Sequence, residues 1–434
     1  MHHHDFLWRP RRGRRVILLA LGLIFFSPAA VLAEAPAQTL ALPEAVSRAL
    51  ELNPGLQVFT PRLKGLEGKR LTADQNPAFE LGFEAENVLG SGPFNGIDGA
   101  EYTLSIASVI ELGGKREART RAVSGRYALV EAERRAEALS LLADVTRSFI
   151  SALALQEKLK LAEDAVALAE STHHIVRQRA ERGATPQAEV LRARAELTQS
   201  RLEQDRLQAA FDGSLMALAT LLGRETADFE RLRGDLFAFS PPDSFASLFE
   251  RARDNPDIQV FASEERLREA ELALARSQSR SDVRWQIGTR YMEETGDSAL
   301  VAGVSMPLFS GRRNRGEVQA AQAARDEVGF RRENALLALR ARLYEAWRLH
   351  QQAVATAEAM QARELPDRRE ALELTRTAYE QGRYGYVEWV TAQQELLAAR
   401  RNRVDAATTA LLNQALIEQL TGQSLAATES SSGY

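Results

Sequence analysis

The sequence predicts a mainly helical protein that also supplies strands to a membrane β-barrel, with the whole pattern written twice. Three observations predict this. Long stretches rich in Ala, Leu, Glu and Arg run without proline, four segments of roughly ten residues alternate apolar and polar positions, and short signatures recur in the same order in both halves.

The chain opens on an address. Arg11, Arg12, Arg14 and Arg15 precede an apolar run at 16–26, and Val31 and Ala33 supply the small residues of a cleavage site, so 1–33 reads as a secretory signal. No other stretch approaches ~18 uninterrupted apolar residues, which predicts a mature chain without a transmembrane helix. Cysteine is absent, which excludes disulfides, thiolate metal sites, a thiol nucleophile and a lipid-anchor cysteine. The formal charge is −4 and becomes more negative when the arginine-rich signal is removed, a poor balance for binding nucleic acid.

The repeat follows. NPGLQVF at 53–59 returns as NPDIQVF at 255–261, and IELGGKR at 110–116 is echoed by PLFSGRR at 307–313. AERGATPQAEVLRARAEL and YEQGRYGYVEWVTAQQEL set Gly183 against Gly382 and Glu189 against Glu388. The predicted organisation is a first repeat at 34–223, a linker at 224–244 around Pro241 and Pro242, a second repeat at 245–423, and a Ser-rich disordered tail at 424–434. Each repeat reads as helix, β-hairpin, very long helix, tip turn and returning helix. No proline lies between Pro93 and Pro186, so one helix of about 100 Å is predicted from Lys115 to Arg182, with an apolar stripe at Leu139, Leu142, Val145, Phe149 and Leu153. Pro366 predicts a kink or short break in the second long helix.

The strands are read from alternation. Phe79, Leu81 and Phe83 alternate with Glu80 and Glu84, and Tyr102, Leu104 and Ile106 with Glu101, Thr103 and Ser105. In the second half Val283, Trp285, Ile287 and Tyr291 share one parity, and the return carries Leu300 and Val304. Apolar residues on one parity and polar ones on the other predict a face against lipid, the alternative being a small soluble sheet packed on the helices. Four strands cannot close a barrel, and open edges are not tolerated in lipid, so the chain must oligomerise. Two copies give eight strands with a filled interior, and three give twelve with a lumen.

The duplicated helix–hairpin–helix layout, the paired NP markers, the glycine turns and the signal resemble the TolC-type outer-membrane efflux proteins over essentially the whole mature chain. Within them, GIDGAEYTLSIASVIELGGKREAR, with ELGGKR at 111–116, resembles the CzcC-like components of cobalt-zinc-cadmium efflux systems. The resemblance implies a homotrimer whose helices prolong a 12-stranded barrel as an α-barrel tunnel. It also implies two partners, a periplasmic adaptor and an inner-membrane RND-type pump, and passage of divalent heavy-metal cations to the exterior. A TolC-like exporter of drugs or secreted proteins is the alternative.

In such proteins the helix-reversing turns form the tip that adaptors grip, which assigns that role to Gly183, Ala184 and Thr185 and to Gly382, Arg383 and Tyr384, with Tyr386 beside them. Read as local structure, the first turn offers Gly183 for the left-handed position, Thr185 as a helix cap and Pro186 in the first turn. On a trimer Glu189 and Glu388 would each make a ring of three carboxylates at the periplasmic entrance. The plain reading of both is a solvated helical glutamate. Lys115, Arg116, Arg119 and Arg121, and again Arg312, Arg313 and Arg315, follow the hairpins, where either lipid phosphates or protein carboxylates would balance them. The six His and five Met form no metal-ligand pattern, and no Ser-His-Asp set or nucleotide fingerprint is present, so neither an enzyme nor a cofactor is expected. A periplasmic adaptor also owns a long hairpin, but a single one explains neither two repeats nor four amphipathic strands.

Overall fold

The computed structural model describes residues 39–240 and 243–422; the signal at 1–33 and the tail at 424–434 lie outside the described residues. The first half runs β1 (Thr39–Ala41), α1 (Leu42–Leu52), α2 (Pro54–Gln57), α3 (Phe59–Ala73), β2 (Glu80–Glu86), β3 (Glu101–Ile110), α4 (Lys115–Glu181) and α5 (Gln187–Leu221). After β4 (Arg231–Arg233), the second half runs α6 (Phe245–Ala252), α7 (Pro256–Gln278), β5 (Val283–Met292), β6 (Asp297–Ser305), α8 (Ser310–Arg313), α9 (Arg315–Ala359), α10 (Leu365–Glu380) and α11 (Tyr386–Thr421). Both halves present the same order: short helices, a β-hairpin, a long outgoing helix, a turn and a returning helix.

With no proline or cap to stop it, α4 extends for 67 residues, about 100 Å at 1.5 Å per residue. Leu139, Val145, Phe149 and Leu153 are buried along it as the stripe predicts, and Leu142 packs against the cluster that holds the last three. One stretch of α4 is apolar enough by composition to cross a membrane, and more than half of that stretch is buried inside the bundle. Its apolar content therefore serves packing against α5, α7 and α11.

Around Pro366 the second long helix shows a local irregularity where one is expected, in the form of a π turn and not of a gap. Residues Met360–Glu364 form a single π-helical turn that leads from α9 into α10, with Pro366 in the first turn of α10. A π turn accommodates an extra residue without interrupting the helix, so a proline near a new first turn costs no helical hydrogen bond. Leu365, beside it, is buried in the core below the tip.

The repeated Asn-Pro signature has a shared mechanical role. The Asn53 side chain accepts from the Gly55 amide at 2.8 Å, starting α2, and donates to the Leu221 carbonyl at the end of α5 at 2.9 Å. Asn255 likewise accepts from the Asp257 amide at 2.8 Å and donates to the Gln419 and Leu420 carbonyls at 2.8 and 3.1 Å. Each asparagine caps one helix while occupying carbonyls that the end of another leaves free. The chain turns away at Gly223 and Gly422, both left-handed, and a Cβ at Gly223 would stand 2.6 Å from the Leu52 carbonyl oxygen. These corners close each half on itself.

The four long strands form one antiparallel sheet in the order β2-β3-β5-β6, so the two hairpins join through β3 and β5. A short parallel pair, β1 with β4, sits apart from it. The hairpins are held at their base by Lys115, which reaches Asp282 at 2.7 Å, and by Gly113, where a Cβ would stand 2.5 Å from the Arg280 Cγ.

Asn255→Ala removes three hydrogen bonds from a buried corner and should lower stability by about 2 kcal/mol, with a smaller loss for the half-buried Asn53. Hydrogen exchange at the last turn of α11 should rise in Asn255→Ala; unchanged protection there would remove the corner from the account.

Candidate functional site

Two regions carry the residues singled out by the sequence: the sheet at one end of the long helices and the paired turns at the other. The register of the sheet brings the apolar residues into continuous rows. Leu81 pairs with Ile106, Ile106 with Ile287 and Ile287 with Ala302; Phe83 pairs with Leu104, Leu104 with Thr289 and Thr289 with Leu300. Tyr102 faces Tyr291, Trp285 faces Val304, and Val283 begins the same parity opposite Ile110. Phe79 lies one residue before β2, and its ring meets that of Trp285 edge-on with centroids 6.2 Å apart. Leu81, Leu300 and Val304 are more than three-quarters exposed, whereas Tyr102, Val283 and Trp285 are half-buried by their neighbours.

The opposite parity is polar. It carries Glu80, Glu84, Glu86, Glu101 and Asp297 against only Arg284 and Arg290. Arg290 reaches Glu86 and Glu101, each at 2.7 Å, and Arg284 pairs with Glu80. Glu84 and Asp297 have no cationic partner among the described residues. The sheet therefore has one apolar face, one acidic face, and two edges, at β2 and β6, paired on one side only.

At the other end both helix reversals use one construction. The Gly183 amide bonds the Ala180 carbonyl and the Ala184 amide the Arg179 carbonyl, each at 2.9 Å; Gly382 and Arg383 repeat this with Tyr379 and Ala378 at 2.9 Å. Gly183 and Gly382 have φ of +74° and +75°, the left-handed position at which a Cβ is penalised. Thr185 does not cap α5: Pro186 holds the cap position, and the Thr185 hydroxyl donates instead to the Glu189 carboxylate. Pro186 has no N–H and Thr185 stands one residue too early, which is why the expected cap is not made.

Glu189 and Glu388 occupy the same position, the third residue of the first turn of α5 and of α11. There a carboxylate is favoured by the positive end of the helix dipole. Glu388 is exposed, and its carboxylate folds back so that a Cβ on Gly385 would lie 2.9 Å from Oε2. Glu189 is half-buried and also accepts from the Tyr379 hydroxyl at 3.4 Å, joining the two turns.

Tyr384 is exposed beside Gly382, but Tyr386 is buried. Tyr386 belongs to the core beneath the tips, with Trp389, Val176 and Val190. Burial raises the Tyr379 hydroxyl above the usual tyrosine range and, with help from the Glu196 charge, pushes Tyr386 up to about 12. Arg179 bolts the turns together: its guanidinium lies 4.8 Å from the Tyr379 ring centre and donates to the Glu380 carbonyl at 2.8 Å, while Tyr379 stacks on Trp389 at 4.9 Å. Sequence reasoning missed this clamp, although two large aromatics so close to a turn were its available signal. Val387 and Leu191, both more than half exposed, add apolar surface next to the tips.

With this geometry in hand, the sequence profile of outer membrane efflux proteins matches residues 45–224 and 249–423. The chain belongs to that family. Its members are outer-membrane efflux channels, not enzymes, so this chain is an outer-membrane efflux channel. It is 26% identical to the cobalt-zinc-cadmium resistance protein CzcC of Cupriavidus metallidurans, over 89% of this chain and 94% of that one. It is 24% identical to the nickel-cobalt-cadmium resistance protein NccC of Alcaligenes xylosoxydans xylosoxydans, over 74% of this chain and 73% of that one. The crystal structure of the transmembrane channel CusC shares the fold with a TM-score of 0.74 at 17% identity, covering 88% of this chain and 92% of that one.

The tip core generates a pH test. Because Tyr386 ionises more readily in the unfolded chain, near its usual value of 10.0, than in the folded one at about 12, its burial stabilises the tip below pH 10. That stability is lost as pH rises through this window. Tyr386→Phe should therefore flatten the loss of tip protection between about pH 10 and 12, measured by denaturant unfolding followed at Trp389. An alkaline loss as steep as in the unmutated protein would contradict the assignment.

Proposed function

We propose that this channel conducts divalent heavy-metal cations outward as the outer-membrane component of a tripartite efflux system. Three chains close a 12-stranded barrel, their helices continue it as a periplasmic tunnel, and the tips dock a periplasmic adaptor that couples them to an inner-membrane RND-type pump. The observation that carries the proposal is the sheet: apolar on one face, acidic on the other, and open at both edges. In lipid those edges must be paired, and three copies do so while leaving a lumen. The acidic parity then lines the lumen and raises the local concentration of cations.

Other features support the assembly. Phe330, Leu337 and Tyr344 recur at seven-residue intervals on α9 and are 74%, 64% and 51% exposed, a stripe suited to a neighbouring helix. The matching order of elements, the twin asparagine corners and the twin tips support an internal duplication, with repeats at 34–223 and 245–423 joined by 224–244. Residues Gly183, Ala184, Thr185, Gly382, Arg383 and Tyr384 offer the adaptor surface, and Glu388, exposed on the first turn of α11, is the better placed entrance carboxylate. Glu189 serves the entrance less directly, since its carboxylate already ties the two turns. The metal assignment draws on the similarity to CzcC and NccC.

A deletion strain tests substrate choice. Sensitivity to zinc, cobalt, cadmium or nickel, restored by this chain, is the expected result; sensitivity to drugs and detergents alone would assign an exporter of organic substrates. In single-channel recordings Glu388→Gln should lower the preference for cations over anions, and unchanged selectivity would remove it from the entrance.

A further inference from the structure

Five arginines gather where the second hairpin joins the helices. Arg276 and Arg280 lie at and just beyond the end of α7, and Arg312, Arg313 and Arg315 span α8 and the start of α9. All five are exposed. Arg276, Arg280 and Arg315 line one surface cleft with Ser279, Gly311 and Val318, and no carboxylate contributes to its walls.

The first half resolves the same situation differently. There Lys115 pairs with Asp282, Arg119 with Glu111, and Arg116 reaches toward Asp74 at 3.9 Å. None of the five arginines of the second half has an ion pair or a side-chain hydrogen bond among the described residues. Asp282 and Glu111, the nearby acids at the hairpin base, are already committed to Lys115 and Arg119. Glu317 stands two positions from Arg315 on α9, a spacing at which helical side chains do not face one another. The stem of Arg280 is fixed against Gly113, so its charge cannot simply swing away from the others.

Uncompensated like charges at such spacing repel, and a cleft that retains them is arranged for an anion from outside the chain. Its chemistry is specific, since planar guanidinium forks match the oxygens of a phosphate. Its location identifies the source. Leu308 and Phe309, 66% and 72% exposed, and Val304 on β6, 77% exposed, continue the apolar sheet face up to the cluster. The Arg312 guanidinium lies 5.9 Å from the Phe309 ring centre, at the border of the two. Phe309 itself holds a left-handed backbone with φ of +62°, a conformation that costs a non-glycine residue energy and that presents the ring beside the arginines.

We propose that this cleft binds the phosphate of an anionic lipid head group on the periplasmic side of the outer membrane, one lipid per chain. This rests on the apolar sheet face meeting lipid, and is independent of which substrate the channel carries. The lipid would fasten the rim of the barrel to the membrane where no carboxylate of the chain does so.

The full-length protein purified in detergent would be titrated with phosphatidylglycerol, phosphatidylcholine and inorganic phosphate, and bound lipid counted by native mass spectrometry. Retention of phosphatidylglycerol over phosphatidylcholine is expected, and R276Q/R280Q/R315Q should weaken it on the order of a hundredfold. Should that variant fail to assemble, Arg315→Gln alone should weaken it about fivefold. Equal binding of both lipids, unchanged binding by the variants, or inorganic phosphate binding as tightly as the lipid would overturn the proposal. Quenching of Trp285 by brominated lipid reports the sheet face separately: quenching without head-group preference keeps that face in lipid and overturns only the cleft.

Discussion

The proposed assembly turns on one constraint, the two strand edges at β2 and β6 that a hydrocarbon layer would not tolerate open. Each unpaired N–H or C=O in such a layer costs several kcal/mol, and among the described residues β2 and β6 each pair with a strand on one side only. The four long strands of one chain would supply only part of a closed surface, and the proposed assembly takes the rest from identical neighbours. In the proposed barrel the parity of the sheet acquires a direction. Phe83, Leu104, Leu300 and Val304 would face outward, and Glu84, Asp297 and the Arg290 cluster inward.

The helices answer a mechanical demand set by that arrangement. A tube of the proposed kind, continuing a barrel for about 100 Å, would need walls that do not bend at random, and an uninterrupted α4 with a buried stripe supplies one. Such walls need fastening along their length and at the tip. About midway along the long helices, Asn53 and Asn255 tie the start of one helix to the finish of another. At the far end, Arg179, Tyr379 and Trp389 lock the two turns into a single head. The exposed surface of that head is left to Tyr384, Val387 and Leu191, residues that can be given to a partner without loosening the clamp.

Much of the fold was legible because its signals are local. Alternation along ten residues, the absence of proline from 94 to 185, and a glycine at each turn are properties of neighbouring residues, and strands, helix and turns appear where these place them. What escaped the sequence depends on relations between distant segments. Tyr384 and Tyr386 look alike in the sequence, but Tyr386 opens α11 and enters the core beneath the tips while Tyr384 stays in the exposed turn before it. Pro366 marked where the helix becomes irregular, but nothing local reveals that a preceding π turn is the form this takes. Thr185 looked like a cap until its hydroxyl found Glu189. The NP signature was visible as a repeat, yet its purpose required the carbonyls of Leu221 and Leu420, more than 160 residues away.

The mass of the assembled particle tests the central claim most directly. Sedimentation of the mature protein in detergent, corrected for bound detergent, should give three chains per particle, the number that closes a 12-stranded barrel around a lumen. A stable, folded particle of one chain would leave β2 and β6 open in the membrane and would contradict the account at its foundation.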